Sequence, residues 1–144
     1  MSADTTLVIK RHFKATPEQV FEAWTNPQLL VKWWGPQGVT TPVVELDVRE
    51  GGNWTTTMHS DEMGHREVSG TYVTLVPPHR LVLTWGWSDE GKRGHETIVE
   101  ILLEASNNGT AMTLTQKEFE TAQSCSRHNM GWDSSFIKLD QSLA

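Results

Sequence analysis

At 144 residues the chain has the length of one ordinary domain, long enough to bury a core without metal or disulfide staples. A formal net charge of -6, with no Lys/Arg run, argues against nucleic acid as a partner, and no apolar stretch approaches the roughly 18 residues that would span a membrane. Cys125 is the only cysteine, so no disulfide forms within the chain. The opening Met1-Ser2-Ala3-Asp4 lacks the charged and apolar regions of a secretory signal, and a cytoplasmic protein is expected.

Thr5 to Lys14 alternates, with Leu7, Ile9 and Phe13 on one side and Lys10, His12 and Lys14 on the other, the period of a half-buried strand. Arg11 interrupts its apolar face. Thr16-Pro17-Glu18-Gln19 then reads as a helix start: Thr16 caps, Pro17 occupies the first turn without losing a hydrogen bond, and Gln19 completes a capping box. A short helix through Trp24 is predicted. Asn26-Pro27 repeats the signal and opens a second short helix carrying Leu29, Leu30, Trp33 and Trp34, stopped by Gly35-Pro36.

From Val39 the pattern becomes a meander of strands. Val44, Leu46 and Val48 alternate with Glu45 and Asp47, and Glu50-Gly51-Gly52-Asn53 turns the chain into a strand with Trp54, Thr56 and Met58 on one face. The polar segment Ser60 to Gly64 turns again before a strand from about Glu67 to Val76, ended by Pro77-Pro78. Arg80 to Trp87 places Leu81, Leu83, Trp85 and Trp87 on one face, and Ser88 to Gly94 reads as a polar loop. Strands Thr97 to Leu103 and Ala111 to Gln116 flank Asn107-Asn108-Gly109, where Asn-Gly is a strong hairpin signal.

The last segment has a helical period: Trp132, Phe136, Leu139 and Leu143 share a face that extends back to His128 and Cys125. Asp133, Lys138, Asp140 and Gln141 lie off this stripe and suit solvent. Gly131 costs about 1 kcal/mol relative to Ala inside a helix and permits close backbone approach. The assembled order makes residues 1–144 a single α+β domain: a curved antiparallel sheet of about seven strands, two short helices after strand 1, and a long C-terminal helix. A sheet this large curls, so one helix laid across it is expected to leave an internal apolar cavity.

Ala15, Pro17, Val20, Phe21, Ala23-Trp24, Pro27, Trp33-Trp34-Gly35-Pro36, Leu46 to Gly52, Gly70, Pro77-Pro78, Arg80 to Trp85, Gly131-Trp132 and Leu139 together form a familiar pattern. It covers nearly the whole chain. It resembles the activator of Hsp90 ATPase homologue 1-like (AHSA1) family of the START-like (SRPBCC) superfamily. The resemblance implies the Bet v 1-like helix-grip fold, in which a seven-stranded sheet grips the C-terminal helix around an apolar cavity.

Seven tryptophans against one tyrosine suit a chamber wall, since an indole offers a broad apolar face and one N–H donor. The expected lining is Trp54, Met58, Trp85, Trp87, His128, Trp132 and Phe136, with Tyr72 and Trp33 near the mouth. Trp N–H groups, His128, Gln116 and Tyr72 are the polar handles for orienting a ligand. The favoured function is binding of a small hydrophobic or aromatic molecule, with no cofactor. The alternatives are a protein-interaction module docking on a chaperone, and a cyclase- or hydrolase-like enzyme using His128 as base beside Glu118. His59, Asp61, Glu62 and His65 lack a recognised metal spacing and read as a solvated turn, and Cys125 as a buried thiol. Monomer and homodimer both fit.

Overall fold

The computed structural model describes residues 5–62 and 64–143. The start Met1 to Asp4, and Met63 within the expected Ser60 to Gly64 turn, lie outside the described residues. The order is β1 (Thr6–Phe13), α1 (Pro17–Thr25), α2 (Pro27–Leu30), β2 (Thr40–Leu46), β3 (Asn53–Ser60), β4 (Gly64–Val76), β5 (Arg80–Asp89), β6 (Lys92–Ser106), β7 (Gly109–Lys117) and α3 (Ala122–Leu143). All neighbouring strands pair antiparallel in one sheet ordered β1-β7-β6-β5-β4-β3-β2. Strand 1 therefore returns to pair with strand 7, and β1 and β2 form the two edges.

The helix starts are those written in the sequence. Thr16 Oγ1 accepts from the Gln19 backbone N–H while the Gln19 side chain accepts from the Thr16 N–H, and Asn26 Oδ1 accepts from Gln28 N–H. The second helix is shorter than expected. After Leu30 the backbone tightens, with Lys32 N–H bonded to Leu29 and Trp33 N–H to Leu30, so that both Trp33 and Trp34 turn inward.

Several strands depart from their predicted bounds for physical reasons. The expected loop Ser88 to Gly94 is mostly strand, turned at Glu90-Gly91, both with positive φ. These residues carry no apolar alternation because they extend beyond the core; Arg93 instead bonds Ser69 and Glu96. At the β6–β7 hairpin the left-handed residues are Asn107 and Asn108, and Gly109 is already paired with Ser106. Gly109 serves close approach instead: a Cβ there would stand 2.1 Å from the Phe13 carbonyl oxygen. Val48 was expected on an apolar strand face and is exposed, because β2 ends at Leu46. The register of β2 against β3 slips between Thr40 and Val43, around Pro42.

The core sits between the concave face of the sheet and α3. Leu7, Ile9 and Phe13 bury one side of β1, and Arg11 on the same strand forms an ion pair with Asp133 of α3, which accounts for the break in the apolar face. Helix α3 buries Cys125, Trp132, Phe136 and Leu139 and runs unbroken through Gly131. Lys138, expected in solvent, is half-buried: its Nζ donates to the carbonyls of Gly35 (3.1 Å), Val39 (3.2 Å) and Pro36 (3.5 Å). With Gln37 N–H bonded to Ser134 Oγ, it ties the α2–β2 loop to the helix.

Candidate functional site

All seven tryptophan rings belong to one connected network, with neighbouring centroids from 4.8 Å apart (Trp24 and Trp33) to 6.0 Å (Trp34 and Trp54). Trp24, Trp33, Trp34 and Trp54 fill the hollow over much of its length. Glycine makes room for one of them: a Cβ on Gly70, opposite Trp54 across the β3–β4 pair, would stand 1.8 Å from the Thr84 carbonyl oxygen and 2.7 Å from Trp54 Nε1. The expected enclosed cavity is thus reduced to a cleft of about 460 Å³, open toward solvent under the N-terminal half of α3.

The sheet contributes Met58, Arg66, Trp85 and Trp87 to this cleft. Helix α3 contributes Arg127, His128, Gly131 and Trp132 from the other side, and the loop held by Lys138 supplies Trp34, Gly35 and Val39. Gly131 faces the open space, since a Cβ built there meets nothing within 4 Å. The wall is largely indole. Arg66 lies with its guanidinium carbon 4.7 Å from the Trp87 ring centre, and Glu62 stands at the same rim.

Polar groups near the cleft are mostly committed to one another. Trp87 Nε1–H donates to His128 Nε2 (2.9 Å), which leaves the His128 Nδ1–H to donate to the Ser124 carbonyl (2.8 Å). The ring is therefore a neutral tautomer with both nitrogens engaged. Burial pushes its pKa below the ordinary 6.5, the Ser124 bond opposes that shift and Arg66 adds to it. Trp132 Nε1–H donates to Gln116 Oε1 (2.8 Å), and Gln116 Nε2 donates to Thr97 Oγ1 (2.8 Å). Trp33, Trp34 and Trp54 donate to Ala23, Thr56 and Thr84. Among the described residues, the buried side-chain polar atoms without a partner are the indole N–H groups of Trp24 and Trp85 and Nδ1 of His59, and of these three residues Trp85 lines the cleft.

Of the residues expected to line a pocket, the structure brings Met58, Trp85, Trp87, His128 and Trp132 together. The others lie elsewhere. Gln116 is fully buried behind Trp132, and Phe136, one turn further along α3, packs against Phe13, Trp24 and Trp33. Trp54 sits behind Trp34 and Trp85. Trp33, expected near the mouth, is wholly buried. Tyr72, also expected there, stands six residues along β4 from Arg66, about 20 Å at the rise of a strand. Its phenol is buried near Asp47, and both effects hold its pKa far above the ordinary 10.0.

The residues missed by sequence reasoning are Trp34, Arg66 and Arg127. Trp34 reads in the sequence as part of a helix face, while the two arginines carry no local motif. The expected acid–base pair does not form: Phe119 packs on the His128 ring at 4.8 Å, and Glu118 is exposed with a left-handed backbone. His59 and His65 pair across β3 and β4 with rings 4.4 Å apart, and among the described residues no group of three or more His, Cys, Asp or Glu is placed to hold a metal ion. No helix among the described residues is long and apolar enough to cross a membrane.

The sequence profile of the family described as activator of Hsp90 ATPase homolog 1-like protein matches residues 14–144. Among solved structures, the AHSA1 protein of Silicibacter pomeroyi is similar at 32% identity, with 96% of each chain covered and a TM-score of 0.86. A protein of Chromobacterium violaceum is similar at 27% identity over 96% of each chain, with a TM-score of 0.85. One from Nitrosomonas europaea shares the fold at 24% identity and a TM-score of 0.83, over 99% of this chain and 96% of its own. The chain matches no curated protein.

Proposed function

From the premise that this chain belongs to the family of activator of Hsp90 ATPase homolog 1-like proteins, with its START-like helix-grip fold, we propose that it binds a small apolar or aromatic molecule in the cleft beneath α3. One observation carries this reading: an open cleft of about 460 Å³ walled by the rings of Trp34, Trp85, Trp87 and Trp132. Four indoles that exclude water form a broad surface against which a flat ligand gains dispersion and loses hydration. Because most of their N–H groups are satisfied internally, they offer faces in preference to donors, which suits an apolar body.

Gly131 provides the test. It lines the cleft, its Cβ would meet nothing, and a leucine there gains helix propensity while projecting into the space. Titration of wild-type protein with neutral naphthalene derivatives is expected to quench tryptophan emission and raise the melting temperature. Gly131→Leu is expected to abolish both responses without lowering the melting temperature of the free protein. Unchanged responses in that variant, or none in the wild type, overturn the reading.

The family description favours a second reading, docking on an Hsp90-type chaperone. Its test is ATP turnover by a purified chaperone with and without this protein; an unaltered rate in a complex-forming concentration range removes it.

A further inference from the structure

We propose that the molecule bound in this cleft carries an anionic carboxylate on its apolar body, and that Arg66 and Arg127 grip that carboxylate from opposite walls. The inference rests on the binding reading above and names the chemical class of the ligand.

The argument begins with how the chain spends its arginines. Arg11 pairs with Asp133, Arg49 with Asp47, Arg80 with Glu100 and Arg93 with Glu96. The remaining two, Arg66 and Arg127, have no carboxylate partner among the described residues, and both line the cleft. In a protein with formal net charge -6 and 18 acidic residues, acceptors are plentiful, yet these two guanidinium groups stand unpaired where the sheet and α3 face one another. The charged lining is thus two arginines against one glutamate, Glu62, with His128 held neutral by its two hydrogen bonds. The cleft is locally positive on a negative molecule.

Geometry adds a second reason. Arg66 lies near the Trp87 ring, 4.7 Å from its centre, so the indole supports the guanidinium while the N–H donors of its planar fork remain free for a bidentate acceptor. Arg127 sits one residue before His128 on α3, and therefore reaches the rim from the helix. An aromatic acid seated on Trp85 and Trp132 places its ring against indole and its carboxylate at the mouth, between the two guanidinium groups. A neutral body fills the same floor without that anchor, and a cation meets two like charges.

The experiment is calorimetric titration with 2-naphthoate, its neutral counterpart 2-naphthamide, and 2-naphthylmethylammonium. The acid is expected to bind about fivefold to tenfold more tightly than the amide, the scale of partly exposed charge-assisted contacts, with an affinity that falls as salt is raised. The ammonium compound is expected to be the weakest. In the double variant Arg66→Gln/Arg127→Gln the affinity of the acid should fall to that of the amide and lose its salt dependence, with an unchanged melting temperature reporting an intact fold. Equal binding of acid and amide by the wild type, or an advantage that survives in the double variant, overturns the proposal, and a preference for the ammonium assigns the mouth to Glu62 instead. Should the double variant fail to fold, the ranking and salt dependence in the wild-type chain decide alone. If neither the acid nor the amide binds, the binding reading fails first and this inference with it; if the amide binds as well as the acid, only this inference fails.

Discussion

The two halves of α3 cover the same sheet and both meet tryptophan rings, yet one is packed solid and the other stands over open space. Around Phe136 and Leu139, Phe13 of β1 and Trp24 of α1 meet Phe136 edge to face, while Trp33 of the α2–β2 segment lies tilted against it, wholly buried with its N–H donated to Ala23. Around His128 and Gly131 the helix presents a small residue and two polar ones, and Trp87 is only partly covered. Tryptophan alone therefore does not define a pocket. What differs is whether a second layer of bulky residues faces the indole, and α1 and α2 supply that layer at one end only.

Large-to-small substitutions sharpen this contrast most. Trp33→Ala is expected to lose about 3–5 kcal/mol, since a buried indole leaves a void its neighbours cannot close. Trp87→Ala is expected to cost about half as much, because the ring borders existing space and water can enter. Urea unfolding of both variants is the check; equal losses would show the two ends to be packed alike. A smaller effect is expected where the ends are joined. Lys138→Met removes the donor shared by Gly35, Pro36 and Val39 and is expected to cost about 1–2 kcal/mol, with faster amide exchange at Val39 and Gln37 and little change near Phe136. Uniform acceleration along α3 would remove the idea of a local clamp.

The smallest expected effect belongs to the open end. The folded-state pKa of His128 lies below its unfolded value of 6.5, so the unfolded chain takes up the proton first. The contribution of the neutral ring is complete above pH 6.5 and is lost as pH falls from there through the folded value. The melting temperature of His128→Gln is therefore expected to decline less than that of the wild type between pH 7.5 and 5.5, and parallel profiles would contradict the assignment.

Local rules carry far in this chain. The capping box at Thr16, the strand faces of β1, β3 and β5, and the stripe from Cys125 to Leu143 were all legible because burial on one face leaves a fixed period. The bounds of β5 and β6 were not, since a polar hairpin extending past the core has no such period. Within the cleft, Met58, Trp85, Trp87, His128 and Trp132 follow from two facing stripes. Tyr72 and Phe136 share those stripes but lie further along them, and sequence gives a face without giving depth. Arg66 and Arg127 were invisible because only the assembled structure shows which arginines lack a carboxylate. Lys138 reads as a solvent residue because the loop carbonyls it meets lie about a hundred residues away in the chain, and no local pattern records them.

The slipped register around Pro42 has a consequence beyond its own hairpin. Strand β2 is a free margin of the sheet, and an unbroken margin of backbone donors and acceptors templates pairing with a neighbouring molecule. Proline withholds a donor there and the bulge bends the line of the rest, so a second chain arriving edge-on finds an interrupted ladder. Protection from fibrous self-association is built into the same residues that bring the rim loop back to the sheet.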